Sequence, residues 1–196
     1  MLKKLITLSA LSATIIAGSG FHAQAAESYK VKSGDSLWTI GKTYGVSVKE
    51  MKKLNNKNNH LIFPGESIQL PDQVANEEKE LLARLVHAEA KGEPYEGKVA
   101  VATVVLNRVD SDIFPDSIKE VIYETSPGGI YQFSPVGNGE IDKPANEEAL
   151  KAAEEAIAFR GDGNNSLYFF NPDKTSDQWI RSREVTTKIG KHVFAQ

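Results

Sequence analysis

The sequence predicts an α+β chain in two parts: a small βααβ module, then a mainly helical domain that closes in a small β-sheet. Three observations predict it. Strand, helix, helix and strand signals follow one another within residues 28–71. From residue 77 to about residue 159, apolar side chains recur at spacings of three and four, the period of a helix with one buried face. After residue 166 the pattern turns to short β-branched and aromatic runs, and helices followed by strands within one domain is the α+β arrangement. At 196 residues and 40% hydrophobic, the chain can build a module and a domain, each with its own core.

The first residues read differently. Lys3 and Lys4 precede an apolar and small-residue run from Leu5 to Gly18, and Ala23-Gln24-Ala25 has the small-x-small form of a secretory cleavage site. Residues 1–25 are therefore expected to be a signal peptide. Their apolar run is too short, and too rich in Ser and Thr, for a stable membrane span. Its removal takes 23 basic residues to 21 against 26 acidic ones, a net charge of about −5. That balance gives no support to nucleic-acid binding, which needs a basic excess, nor to attachment to any anionic surface by charge alone. No cysteine is present, so disulfides, zinc–thiolate sites and cysteine nucleophiles are all excluded.

In the module, Tyr29-Lys30-Val31 alternates as a short strand and Ser33-Gly34-Asp35-Ser36 has turn chemistry. Asp35 or Ser36 can cap a helix carrying Leu37, Ile40 and Tyr44, which Gly45 closes. Ser47 and Glu50 form a capping box for a second helix, with Met51 and Leu54 facing inward. A polar loop, Asn55 to Asn59, and a Pro64-Gly65 turn lead to a closing strand, Ser67 to Leu70. Trp38 lies beside the apolar helical positions and is expected in the core. The phrases Val31-Lys32-Ser33-Gly34-Asp35-Ser36-Leu37-Trp38 and Ile62-Phe63-Pro64-Gly65 make this segment resemble a LysM domain. The resemblance implies a shallow groove for N-acetylglucosamine-containing glycans, formed by Gly34, Asp35, Ser36 and Leu37 on one side and by the loop from Leu61 to Pro64, with Ile62 and Phe63, on the other.

Residues 72–76 form a short polar linker, and the second domain is expected over 77–196. Asn76 can cap a helix whose first turn is acidic, as the helix dipole favours. Its stripe of Leu81, Leu82, Leu85 and Val86 continues at the same spacing to Glu89. The next side chain due on the buried face is thus a carboxylic acid. Withdrawal from water raises a carboxyl pKa, and an acid still protonated near neutral pH is what general acid catalysis requires. A buried ion pair, or a glutamate emerging at the frayed helix end before Gly92 and Pro94, is the structural alternative. Pro94 suits the start of a second helix, apolar nearly all round from Val99 to Leu106 and therefore central. Thr103, Asn107 and Glu96 share one side of it, more as satisfied core polar groups than as site residues. Ser117 and Glu120 box a short third helix, and Asn146 opens a fourth that runs to about Phe159. Ser166 to Phe170, Val185 to Ile189, and His192 to Phe194 after a Gly190-Lys191 turn read as strands. Tyr131 to Ser134 fall in a long loop rich in Gly and Pro; aromatic and amide groups on loops suit a carbohydrate cleft.

From Leu82 onward the chain resembles the SleB/CwlJ-type spore cortex-lytic cell-wall hydrolases. The resemblance rests on Glu89-Ala90-Lys91-Gly92-Glu93-Pro94-Tyr95-Glu96-Gly97, on Val99 to Val109, on Gln132-Phe133-Ser134, on Tyr168-Phe169-Phe170-Asn171-Pro172 and on Ile189-Gly190-Lys191-His192. It implies cleavage of the MurNAc–GlcNAc bond of peptidoglycan in the manner of a lytic transglycosylase, without a cofactor or metal, and with Glu89 as the acid. Gln132, Phe133, Ser134, Tyr168 and Asn171 are the residues expected to position sugar. Secreted members of that family carry a different, repeat-type wall-binding module, so vegetative wall stands beside spore cortex as the substrate.

Three alternatives remain open at the level of sequence. Glu93, Glu96 or Glu124 can serve as the second carboxyl of a hydrolytic muramidase. An N-acetylmuramoyl-L-alanine amidase needs about three zinc ligands, and only His60, His87 and His192 remain once the signal is removed. His87 and Glu89, two apart on a helix, point to different sides. A non-catalytic wall-binding protein has no use for an acid on an inward stripe.

Overall fold

The computed structural model describes residues 27–196; the expected signal segment lies outside them. The first module runs β1 (Ser28–Lys30), α1 (Leu37–Tyr44), α2 (Val48–Leu54) and β2 (Ser67–Gln69). β1 and β2 pair antiparallel, with Tyr29 opposite Ile68. Ser36 caps α1 in a reciprocal box with Thr39, and Gly45 ends it in the left-handed conformation, φ +65°. Ser47 caps α2 by accepting from the Glu50 N–H. Leu37, Ile40, Val46, Met51, Ile68 and Leu70 form the module's core.

Two expectations fail here. Trp38 is 38% exposed, because it follows Leu37 by one residue and so is turned about 100° from the buried stripe. Leu54, at the last position of the seven-residue α2, is also exposed.

The second part runs α3 (Asn76–Glu89), α4 (Tyr95–Val109), α5 (Ile118–Ile122), α6 (Ser134–Gly137), a 3₁₀ turn (Glu140–Asp142), α7 (Glu147–Ala158), β3 (Tyr168–Phe170), α8 (Gln178–Arg181), β4 (Val185–Ile189) and β5 (His192–Ala195). α3 starts one residue earlier than expected. Ala75 is its cap position, without a side-chain bond, and Asn76 lies inside the first turn. α4 is buried on most sides, as its composition predicts, and α7 packs against both α3 and α4. The contact face of α7 is built from Ala149, Ala152, Ala153 and Ala156, all buried, which lets three helices approach closely. Asn107 is a satisfied core polar group: its amide donates to the carbonyls of Asn164 (2.6 Å) and Ser166 (2.9 Å), tying α4 to the segment before β3.

The sheet has the order β3-β5-β4, all antiparallel, with Phe194 of the central strand fully buried in the helical core. Gly190, at φ +58°, makes the tight turn between β4 and β5, and a Cβ there would collide with the Glu93 carboxylate. The segment expected as a long loop contains α6 and an isolated bridge between Thr125 and Tyr131.

The two parts share a packed seam. Ala158, the last residue of α7, belongs to the module's core and lies against Gly41 of α1. The Ser47 hydroxyl donates to the Arg160 carbonyl at 2.8 Å, Lys49 Nζ donates to the Gly161 carbonyl at 2.7 Å, and the Val74 N–H donates to Gly45 O at 3.0 Å.

Candidate active site

A cleft of about 570 Å³ opens where the C-terminal end of α3 meets α4, the start of α6 and the β3–β5 edge. Glu89 is the last residue of α3. The stripe that buries Leu82, Leu85 and Val86 carries this side chain to the cleft wall, half-buried. Burial pushes its carboxyl from the ordinary 4.5 up to about 7, and the nearby Lys174 ammonium opposes that rise. Among the described residues lining the cleft, Glu89 is the one carboxylate. Lys174 and Arg108 supply positive charge, and Gln132, Ser134, Asn171 and Thr175 supply neutral polar groups.

Several of these groups are not legible in the sequence. Arg108 projects from α4, 7% exposed, its Nε donating to the Leu167 carbonyl at 2.8 Å. Its guanidinium lies 4.9–5.6 Å from the ring centres of Phe114, Phe133 and Tyr168, so aromatic faces stand in for some of the lost hydration. His192, in β5, is buried against Phe169, with ring centres 5.2 Å apart. Burial moves its pKa down, which favours the neutral imidazole. Arg108, Lys174 and His192 come from three distant stretches of chain that no periodicity links; the one sequence signal was that Arg108 and His192 fall inside the quoted phrases.

The expected sugar-positioning residues divide. Gln132, Ser134 and Asn171 line the cleft, the first two exposed. Phe133 lines it but is buried against Phe169, so it forms wall more than contact surface. Tyr168 is displaced from Glu89: it lines an adjoining arm of about 380 Å³ with Phe114, Trp179 and Ile180, and its ring meets Trp179 edge-on at 5.3 Å.

The three other carboxylates do not line the cleft. Glu93 is buried and accepts the Lys191 N–H at 2.8 Å, holding the β4–β5 turn. Glu96 is exposed in the first turn of α4. Glu124 is turned toward Arg108, with one oxygen buried and unpartnered. Among the described residues, no group of three His, Cys, Asp or Glu side chains is arranged to hold a metal ion.

In the N-terminal module, Gly34 and Phe63 are exposed, Phe63 at 66%. The Asp35 carboxylate is taken up by the Tyr29 hydroxyl and the Lys32 N–H, both at 2.7 Å, and the Ser36 hydroxyl by the α1 cap. Ile62 is half-buried against the core. Leu37 corrects the expectation: its side chain is 1% exposed, so it offers a groove only its backbone.

Comparison with known proteins places this geometry. The cell wall hydrolase family model matches residues 92–195, more than half of the chain. The chain belongs to the cell wall hydrolase family. A LysM model matches residues 29–71 of the same cell wall hydrolase. The family match begins three residues beyond Glu89 and so carries nothing about that side chain.

The chain is 40% identical over 130 residues to the spore cortex-lytic enzyme of Oceanobacillus iheyensis, covering 66% of this chain and 45% of that one. It is 41% identical over 127 residues to the spore cortex-lytic enzyme of Bacillus subtilis, covering 65% and 40%. This cell wall hydrolase thus spans less than half the length of those relatives. The solved catalytic domain of the germination-specific lytic transglycosylase SleB from Bacillus anthracis is 40% identical and superposes with a TM-score of 0.56, over 64% of this chain and 99% of that domain. Similarity to the N-acetylmuramoyl-L-alanine amidase sle1 of Staphylococcus saprophyticus, 43% over 70 residues, falls in the LysM region. The mixed fold, mostly helical with a small C-terminal sheet, is therefore that of the family's catalytic domain. Among the described residues no helix is long and apolar enough to cross a membrane.

Proposed function

We propose that the chain is a secreted enzyme that cuts the MurNAc–GlcNAc bond of peptidoglycan as a lytic transglycosylase, with Glu89 acting first as acid and then as base. In this reading residues 1–25 are removed on export, the LysM module over 28–71 holds N-acetylglucosamine-containing glycan, residues 72–76 link it, and residues 77–196 cut. The protein then works outside the membrane, in the wall or in spore cortex.

The observation that carries the reading is a lone carboxyl in a cleft. A hydrolysing glycosidase of the usual kind needs two carboxyl groups flanking the bond, one to protonate the leaving oxygen and one to attack or to activate water. Here Glu93, Glu96 and Glu124 are all outside the cleft lining. One group suffices if the nucleophile belongs to the substrate. Glu89, protonated at the start, gives its proton to the bridging oxygen as the bond to C1 of the muramic acid breaks. The carboxylate left behind takes the proton of the C6 hydroxyl while O6 bonds to C1, closing a 1,6-anhydro ring and restoring the acid. No water enters, and the attack is intramolecular, so proximity replaces an external nucleophile. Lys174 steadies the carboxylate between the two proton transfers. Gln132, Ser134 and Asn171 are the cleft's neutral partners for sugar hydroxyl and acetamido groups.

Purified peptidoglycan treated with wild type and with Glu89→Gln tests this. The substitution keeps the shape but carries no transferable proton. We expect release of soluble fragments to fall by roughly 10²–10⁴-fold, the usual weight of a general acid. A variant that cuts as fast as wild type contradicts the assignment.

A further inference from the structure

A second concave surface lies far along the chain from Glu89, in the seam between the two parts. Trp38 of α1 and Phe159, the residue that caps α7, are 38% and 43% exposed, although aromatic rings at a seam ordinarily bury each other. Between them is a depression of about 280 Å³, floored by Val48 and edged by His60 and Asp162. Lys42 Nζ stands 4.6 Å from the centre of the Trp38 ring and belongs to a separate depression, so it does not fill this one. The depression continues the LysM groove in sequence on both of its sides. Trp38 directly follows the Gly34–Leu37 turn, and His60 directly precedes the Leu61–Pro64 loop.

The lining is almost wholly apolar, so the exposed Trp38 and Phe159 rings offer the C–H face of a pyranose a surface to pack on, while its hydroxyl and acetamido groups stay turned to solvent at the rim, where His60 and Asp162 are exposed. The walls are also held in place. Ser47 and Lys49 donate to the Arg160 and Gly161 carbonyls, which fixes the residues flanking Phe159 and Asp162 against the start of α2.

We infer that this seam is an additional glycan subsite, in which a β-1,4-linked N-acetylhexosamine strand leaving the LysM groove is continued across Trp38 and Phe159. The catalytic part of the chain thereby contributes a binding residue to the wall anchor. The inference rests on the LysM module binding glycan, as proposed above.

Calorimetric titration of the whole mature chain with GlcNAc oligomers of two to six units tests both. Wild type should bind the longer oligomers more tightly than the short ones. Phe159→Ala should weaken the long oligomers roughly 3–10-fold, the range of one lost stacking contact, and leave the shortest unchanged. Phe159→Leu keeps apolar bulk, guards against a folding defect, and should reproduce most of the loss. Equal affinities of wild type and both variants at every length overturn the seam subsite while the LysM reading stands. No binding by wild type at any length overturns the LysM reading and the subsite with it.

Discussion

At the scale of one residue, the protonation of Glu89 governs both stability and activity. Its carboxyl is at about 7 in the folded chain and at an ordinary 4.5 when unfolded. Between those values the folded state holds a proton that the unfolded state has lost, so stability falls as pH rises from about 4.5 to 7. The total is on the order of 3 kcal/mol. Glu89→Gln removes that cost and should unfold later than wild type in denaturant at neutral pH, with the difference vanishing near pH 4. The same pKa sets the activity profile. The acid must be protonated, so kcat/KM should fall about tenfold per pH unit above 7. Lys174→Met removes the charge that opposes the rise, so the falling limb should move to higher pH. A limb that stays in place or moves to lower pH contradicts the role given to Lys174.

The place of Glu89 is legible in the sequence because helix burial is periodic: Leu81 and Leu85 lead to it in steps of four. Lys174 is not, because it reaches the cleft from the turn after β3, where no period operates.

At the scale of elements, helices show better than short segments. α3, α4 and α7 carry long apolar runs and acidic first turns, and α7 an Asn146 cap, which announce them within a residue or two. α6, α8 and the 3₁₀ turn span only three or four residues each, too few to establish a period, and form where neighbouring elements fix the chain. The β4–β5 turn links element to site. Its Lys191 N–H engages Glu93, and β5 carries His192 into the cleft. Gly190→Ala forces a left-handed backbone on alanine and drives its Cβ into Glu93. We expect a loss of about 2–3 kcal/mol in a denaturant titration. Ala152→Leu on α7 should cost about 1–3 kcal/mol by wedging the three helices apart, without moving the pH profile.

At the scale of the molecule, the seam decides how the parts behave. The LysM core is completed by Ala158 of the other part, and three hydrogen bonds cross the boundary. Wild type should therefore unfold in one cooperative transition, and Ala158→Asp, which places a charge in the seam, should split it into two in calorimetry. Trp38, turned off the module's own buried stripe, is exposed at this seam and borders a surface made jointly by the two parts.

All three scales meet in the claim that one carboxyl suffices because the substrate supplies its own nucleophile. Digestion of purified peptidoglycan in ¹⁸O-labelled water, followed by mass spectrometry of the new glycan ends, measures this directly. The account predicts 1,6-anhydro-muramic ends with no ¹⁸O. Reducing muramic ends carrying one ¹⁸O, or unbroken strands with released stem peptides, contradict it.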